Sequence, residues 1–361
     1  MKVTFPQMGS LSIPLQSFLR DLKIDMIVPP PLTKRTLNLG TKYSPESACL
    51  PFKFVLGNFI EALDLGADAL IIAGGNGPCR FGHFGELAND ILKDLGYDFE
   101  IYILEPPISS IIEVFRTLSS DFSLIKAGFV LRLAWAKLIL LEELKKFKLM
   151  ESAYLSKGVS QRLDNKYLEL ILKAKGHKEL SRIKEKFKIE LLEIRPQQPN
   201  NLLRIGIVGD IYTVSESFAN LDVERRLNEL GVKIDRAVFL SKWVKNNLIF
   251  GALGLTSNRQ VINAAKDYLK EGVGGLGLET IGETVLYGEK DYDGVIQLAP
   301  FGCMPEIIAK SLFTKIEENL EIPILTLILD EHSSATGVQT RLEAFVDLLQ
   351  QKKKNPKTFL A

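Results

Sequence analysis

The chain has too little cysteine for a disulfide framework: three residues in 361, an odd count. In a reducing compartment such a set serves thiol chemistry, metal binding or plain core filling. Charge of one sign is missing too. Forty-five Lys and Arg stand against 44 Asp and Glu, a formal net charge of +1, so the basic excess that phosphate backbones attract is absent and nucleic acid is not an expected partner. There is no long uninterrupted apolar run. The most apolar helical stretch, GFVLRLAWAKLILLEEL at residues 128–144, is broken by Arg132 and Lys137 and falls short of a membrane span. The N-terminal MKVTFPQ contains no apolar signal region. These absences predict a cytoplasmic protein without a membrane partner.

What is present describes a globular protein, 46% hydrophobic and 25% charged. The length suggests two or three units. Residues 1–107 alternate strands (KVTF, DMIVP, ALIIA, FEIYIL) with helices over 15–22, after Pro51 and over 87–95. That is the pattern of a parallel sheet covered by helices. From 108 to 200 the strand signal disappears and leucines recur at helical spacing among Lys and Glu, as in LELILKAKGHKELSRIKEKFKIELLE, whose charges are expected to form a solvated face. RPQQPNN, at 195–201, is a turn and linker signal. Residues 201–361 alternate again: strands LRIGIVGD, GVIQLA and ILTLILD, with helices over 216–230, 242–253 and 260–270, after Pro305 and through RLEAFVDLLQ. The expected fold class is α/β, two parallel-sheet lobes with an intervening helical region.

Two stretches look alike. DALIIAGGNGPC (68–79) and DGVIQLAPFGC (293–303) each run from an acidic residue through a buried strand into a Gly/Pro loop and a cysteine. Ligands of open α/β sheets bind at that carboxyl edge. The third cysteine, Cys49, lies in SPESACLPFK, where Ser44-Pro45-Glu46 reads as a turn or helix start and Pro51 suits a first helical turn. Cys49, Cys79 and Cys303 are therefore all expected near helix N-termini, where free N–H groups and the positive dipole end favour a thiolate. A set sharing one setting points to a shared metal site. The ligand spacings of 30 and 224 residues are unlike paired structural zinc motifs, and zinc would need a fourth donor such as His83 or His332. An iron–sulfur cube can be held by three thiolates with its fourth iron left to water, substrate or another side chain. Flanking glycines would let backbone approach and donate N–H groups to cluster sulfides.

In order, SPESACLPFK, GGNGPCRFG, DGVIQLAPFGCMPE and SSATGVQTRLEAF resemble signature blocks of the 2-hydroxyacyl-CoA dehydratase and benzoyl-CoA reductase superfamily. More narrowly, they resemble the short clostridial proteins labelled CoA protein activase. The resemblance covers both alternating regions and implies two Rossmann-like lobes with a 4Fe-4S cluster held between them by Cys49, Cys79 and Cys303; the sequence pattern itself divides the chain into an N-terminal lobe at 1–107, a helical middle region at 108–200 and a C-terminal lobe at 201–361. Relatives with an 8Fe-9S double-cubane cluster shared across a dimer leave that alternative open. It implies an ATP-dependent activator protein as electron donor, a homodimer or related heterodimer, and a small-molecule substrate such as an acyl-CoA. A Walker sequence G-x-x-x-x-G-K-[ST] is absent, so the chain is expected to receive electrons rather than hydrolyse ATP. A non-catalytic electron carrier or cluster-delivery protein, and a cluster-free binding protein with buried thiols, are the alternatives.

Arg80 and His83 follow Cys79 closely enough to support the site, by hydrogen bonding to sulfur, anion binding or proton movement. In DEHSSATGVQTRLEAF, Asp330 and Glu331 end a strand, Thr336 with Gln339 resembles a capping box, and Arg341 is a candidate anion contact. Gly272, Gly274 and Gly277 satisfy G-x-G-x-x-G, but INAAKDYLKE before them reads as helix, so a glycine-rich helix connection is expected instead of a dinucleotide site. Trp135 and Trp243 are expected in the core.

Overall fold

The computed structural model describes residues 1–75, 79–199, 201–246 and 258–355. The protein is α/β with two parallel sheets. The first has order β1 (Val3–Thr4), β2 (Ala69–Ala73), β3 (Glu100–Leu104). Between β1 and β2 stand α1 (Ser12–Asp21), α2 (Lys34–Tyr43) and α3 (Leu50–Asp64), and α4 (Phe84–Asp94) connects β2 to β3. The strand expected at DMIVP reduces to one bridge, Met26 to Val3. Pro29, Pro30 and Pro31 follow it, and proline cannot donate to a ladder.

Four helices separate the sheets: α5 (Ile108–Leu118), α6 (Leu124–Glu151), α7 (Lys157–Lys173) and α8 (His177–Ile194). Leu140, Leu144, Tyr167, Phe187 and Leu191 form the common core of α6, α7 and α8, while α5 packs through Phe115 and Leu118 on the first lobe. The expected solvated face has exceptions on α6, where Lys137, Glu142 and Lys148 are buried. Burial lowers the Lys137 pKa, and the ammonium donates to Ser17 Oγ at 2.8 Å and to the Leu172 carbonyl at 2.9 Å. An apolar-looking helix thus carries polar bolts to its neighbours, which periodicity alone does not reveal.

The second sheet has order β5-β4-β6-β7, from β4 (Arg204–Gly209), β5 (Lys233–Arg236), β6 (Gly294–Pro300) and β7 (Ile324–Leu329). Its helices are α9 (Ile211–Ser215), α10 (Val223–Glu229), α11 (Leu240–Val244), α12 (Arg259–Ala265), α13 (Gly277–Glu289), α14 (Met304–Ser311), α15 (Phe313–Leu320) and α16 (Ala335–Lys354). Every residue of β6 is buried, as expected of a strand covered on both faces. The helix expected over 216–230 is shorter. Leu221 and Asp222 take positive φ, so the chain turns between α9 and α10. Of the helix expected over 242–253, the described part is α11, and residues 247–253 lie outside the described residues. Neither tryptophan reaches the core: Trp135 and Trp243 are half-buried, and Trp243 lines a cleft with Phe239 and Leu276.

One hydrophobic core runs through both lobes and joins Phe54, Phe59 and Ile72 to Ile207, Tyr212 and Leu298. Helix α3 is the hinge of this packing, buried from Leu50 to Leu63. Its Phe54 stacks on Tyr212 at 6.3 Å, and its Lys53 reaches Glu331 beyond β7 at 2.5 Å. Gly9 donates its N–H to Glu216 at 2.8 Å across the same junction. Among the described residues no helix is long and apolar enough to cross a membrane.

Candidate functional site

Each cysteine caps a helix start. Cys49 precedes α3, Cys303 precedes α14, and Cys79 precedes a 3-10 turn, Arg80–His83; all three have extended backbone, and a proline stands in the first turn of α3 and α14. An extended residue followed by helix aims the side chain over the first free N–H groups. The N–H groups of Phe52, Phe81 and Glu306 accordingly favour the thiolates of Cys49, Cys79 and Cys303, though none closes a capping hydrogen bond by geometry.

The three loops mesh although their residues are far apart in sequence. A Cβ at Gly302 would lie 3.6 Å from the Cys49 Cα and 3.4 Å from the Ser47 carbonyl oxygen. A Cβ at Gly275 would lie 3.9 Å from the Cys79 sulfur and 3.0 Å from Pro305 Cγ. Both glycines have positive φ, +80° and +52°, so backbone conformation favours glycine at each, and the close Pro305 contact adds to this at Gly275. Arg80 completes the ring by donating from Nη1 to the Ser47 carbonyl at 2.5 Å, which ties the Cys79 loop to the Cys49 loop.

Burial raises all three thiol pKa values: Cys49 to about 12, with Cys79 and Cys303 also raised. The charge of Asp210 raises each of them further, while Arg80 pulls Cys49 back. The thiols are free and hold their protons at neutral pH, so a metal group would displace protons on binding. Among the described residues no group of three or more His, Cys, Asp or Glu side chains is arranged to hold a single metal ion. A single ion needs its donors within about 2.3 Å of one point, whereas a cube carries each thiolate on a separate iron. What the site offers a metal group is three soft donors on separate loops, each at a helix start.

The supporting residues divide. Arg80 belongs to the ring. His83 does not: its side chain is 75% exposed and faces Glu86 at 3.3 Å. His332 is exposed as well, so neither histidine supplies the fourth donor that zinc would require. Arg341 donates to the Thr326 carbonyl at 2.6 Å and fastens α16 to β7. The capping box is a correction: Ser334, not Thr336, caps α16 through the Gly337 N–H at 3.0 Å, and Gln339 accepts from Arg226. The glycine-rich run does connect two helices, α12 and α13.

Sequence reasoning missed three members of the site. Gly275, in that connection, packs on Cys79 and Pro305. Glu306, three residues after Cys303, is buried beneath the loop. It accepts from Gln297 Nε2 at 2.8 Å and Thr280 Oγ1 at 3.0 Å, and burial pushes its carboxyl to about 8. Asp210 follows β4 and caps α9, with Oδ2 taking the Thr213 N–H and Oγ1, both at 2.9 Å. Its signal was an acid at the carboxyl end of a strand, the edge that also carries the cysteines. No family model matches the chain, and a search of curated proteins finds no match.

Proposed function

We propose that the protein is an iron–sulfur electron-transfer protein of the 2-hydroxyacyl-CoA dehydratase type, working in the cytoplasm, with Cys49, Cys79 and Cys303 as ligands of a 4Fe-4S cluster. A bound cluster would supply low-potential single electrons and one iron open to a small oxygen-bearing substrate, an acyl-CoA thioester in the reading that the sequence blocks suggest. The observation that carries this reading is the meeting of the three cysteine loops at the carboxyl edges of two parallel sheets, where such folds bind their ligands. This chain's own residues do the holding. The helix starts behind each sulfur favour the anionic thiolate, Arg80 fixes the spacing of the two loops of the first lobe, and Cys49 packs against the apolar core that joins the lobes. An ATP-dependent partner supplies the electrons, and two subunits form the working unit.

The test begins with protein purified without oxygen and analysed for iron and sulfide. Iron and sulfide in equal amounts, with a paramagnetic signal on reduction, are expected. Their absence ends the reading in favour of a cluster-free thiol protein. Reduced protein offered acyl-CoA esters should then be reoxidised with product formation, and sedimentation of the same sample should exceed the 40.3 kDa of one chain.

A further inference from the structure

Asp210 occupies an expensive position. In each of the three cysteines its charge outweighs that of every other charged side chain. Its own carboxyl is raised by burial and relieved only by Thr213 and Tyr212, with no basic side chain among its partners. The backbone there is fixed: Gly209 stands in register with Leu298 on β6, and the Asp210 N–H donates to the Leu298 carbonyl at 3.2 Å. Asp210 therefore sits at the crevice between β4 and β6, where the strand order reverses, beside the strand that ends in the Cys303 loop. An acid beside three prospective thiolates, with no basic partner of its own, is repelled by all of them. That arrangement becomes favourable when a polycation lies among the four anions.

Resting on the cluster reading above, we propose that Asp210 is the fourth ligand, its Oδ1 completing the coordination of the one iron that no cysteine reaches while Oδ2 stays with Thr213. The chain has no fourth cysteine, and neither of the two histidines nearest the cysteine loops in sequence points inward. The Thr213 bonds orient the carboxylate in advance, as partners behind a metal ligand commonly do. A hard oxygen donor on a site otherwise built of soft sulfur is the member that a substrate oxygen displaces most easily. Asp210 thus protects the open iron at rest and gives way when substrate arrives.

The competing role is plain helix capping, and substitution separates the two because Asn caps about as well as Asp but carries no charge. Holoprotein is prepared anaerobically with the aspartate side-chain carboxyl carbons labelled with 13C, the cluster is reduced, and electron–nuclear double resonance records carbon coupled to the cluster. The expected result is a 13C coupling in the native protein that disappears in Asp210→Asn at equal iron content, or in Asp210→Ser, which also caps, should the first variant not fold. A native cluster without a coupled carboxyl carbon, or a coupling that survives in the variant, overturns the assignment and leaves the cluster reading standing. Native protein that takes up no iron overturns both.

Discussion

The two lobes follow one plan with one departure. In each, the first strand of the chain is flanked by the second on one side and by the third and fourth on the other: Met26, β1, β2, β3 in the first lobe and β5, β4, β6, β7 in the second. In each, the loop after the third strand carries a cysteine, Cys79 or Cys303, and the crossover before that strand delivers a residue to the opposite lobe's cysteine loop. In the first lobe that residue is Cys49, packed on Gly302; in the second it is Gly275, packed on Cys79. The contacts are reciprocal, but the residues are not. Where the first lobe offers a sulfur the second offers a glycine, so the repeated scheme carries three thiols and not four. On the proposed cluster reading, that departure leaves one iron without a thiolate.

Removing a thiolate should break the comparison most sharply. Cys303 is the sole cysteine of the second lobe, so Cys303→Ser leaves both remaining sulfurs on the first lobe's side of the proposed site, and iron is expected to fall from about four per chain to below about one. Cys79→Ser should lower both cluster occupancy and turnover, with one sulfur then remaining on each side. Iron and sulfide analysis of the two variants side by side checks the order. A Cys303→Ser protein that loads like the native one would mean that the second lobe is not a partner in the site.

Next in size is the junction that brings the lobes together. Lys53 is 3% exposed and pairs with Glu331, whose side chain is 19% exposed. Lys53→Met leaves that carboxylate without its partner in a largely dry place. The expected loss is about 2–3 kcal/mol, at the lower end for a buried pair because Glu331 keeps some water. An unfolding free energy from urea titration lowered by less than a fifth of this amount would show that the Lys53–Glu331 pair does not hold the lobes together.

Glu216 makes the junction sensitive to pH. Burial raises its carboxyl above the ordinary glutamate value, with the N–H groups of Gly9 and Phe218 opposing the shift. The folded state therefore holds this proton more tightly than the unfolded chain does. Its contribution is greatest at low pH and declines as pH rises from the ordinary glutamate range through the raised value, at no more than about 1.4 kcal/mol per pH unit. Glu216→Gln keeps an acceptor for Gly9 and should flatten this part of the profile in urea unfolding of the metal-free protein from pH 4 to 8. Parallel profiles for the two proteins would assign the slope to other buried acids.

The sequence made the shared plan legible where apolar residues run together. Strands β2, β6 and β7 follow from the apolar runs ALIIA, GVIQLA and ILTLILD, and the first two end in Gly/Pro segments that mark a loop. It hid β5, whose KIDR alternates burial on a short edge strand, and α2, whose KRTLNLGTKY is polar and begins at a Thr33 cap after three prolines. The cysteines stood out because glycine and proline surround them. Asp210 did not, since an aspartate before a short helix reads as an ordinary cap, and that is half of what it does. Gly275 and the Lys53–Glu331 pair depend on packing between segments more than 190 residues apart, which no local pattern encodes.

The smallest expected effect tests the repeat itself. Asp68 and Asp293 open the matching stretches that end in Cys79 and Cys303, and both exchange backbone bonds with the first strand of their lobe. The Asp68 N–H donates to the Lys2 carbonyl at 3.1 Å and that of Asp293 to the Arg204 carbonyl at 2.9 Å, while each carboxylate accepts the N–H of the same residue in return. Asp293 has one partner more, Lys353 at 2.9 Å, and is less exposed. Asp68→Ala should therefore cost about 0.5–1 kcal/mol, the usual net worth of a hydrogen bond. Asp293→Ala should cost about 1–2 kcal/mol through the same bond plus the partly buried ion pair. Combining Asp293→Ala with Lys353→Met isolates the pair as the non-additive part. If the excess loss at Asp293 vanishes in the Lys353→Met background, the two acids are equivalent members of one repeated device, and the second lobe has added a charge to it. An excess that persists would place the difference in the strands, with β6 depending on its first residue more than β2 does.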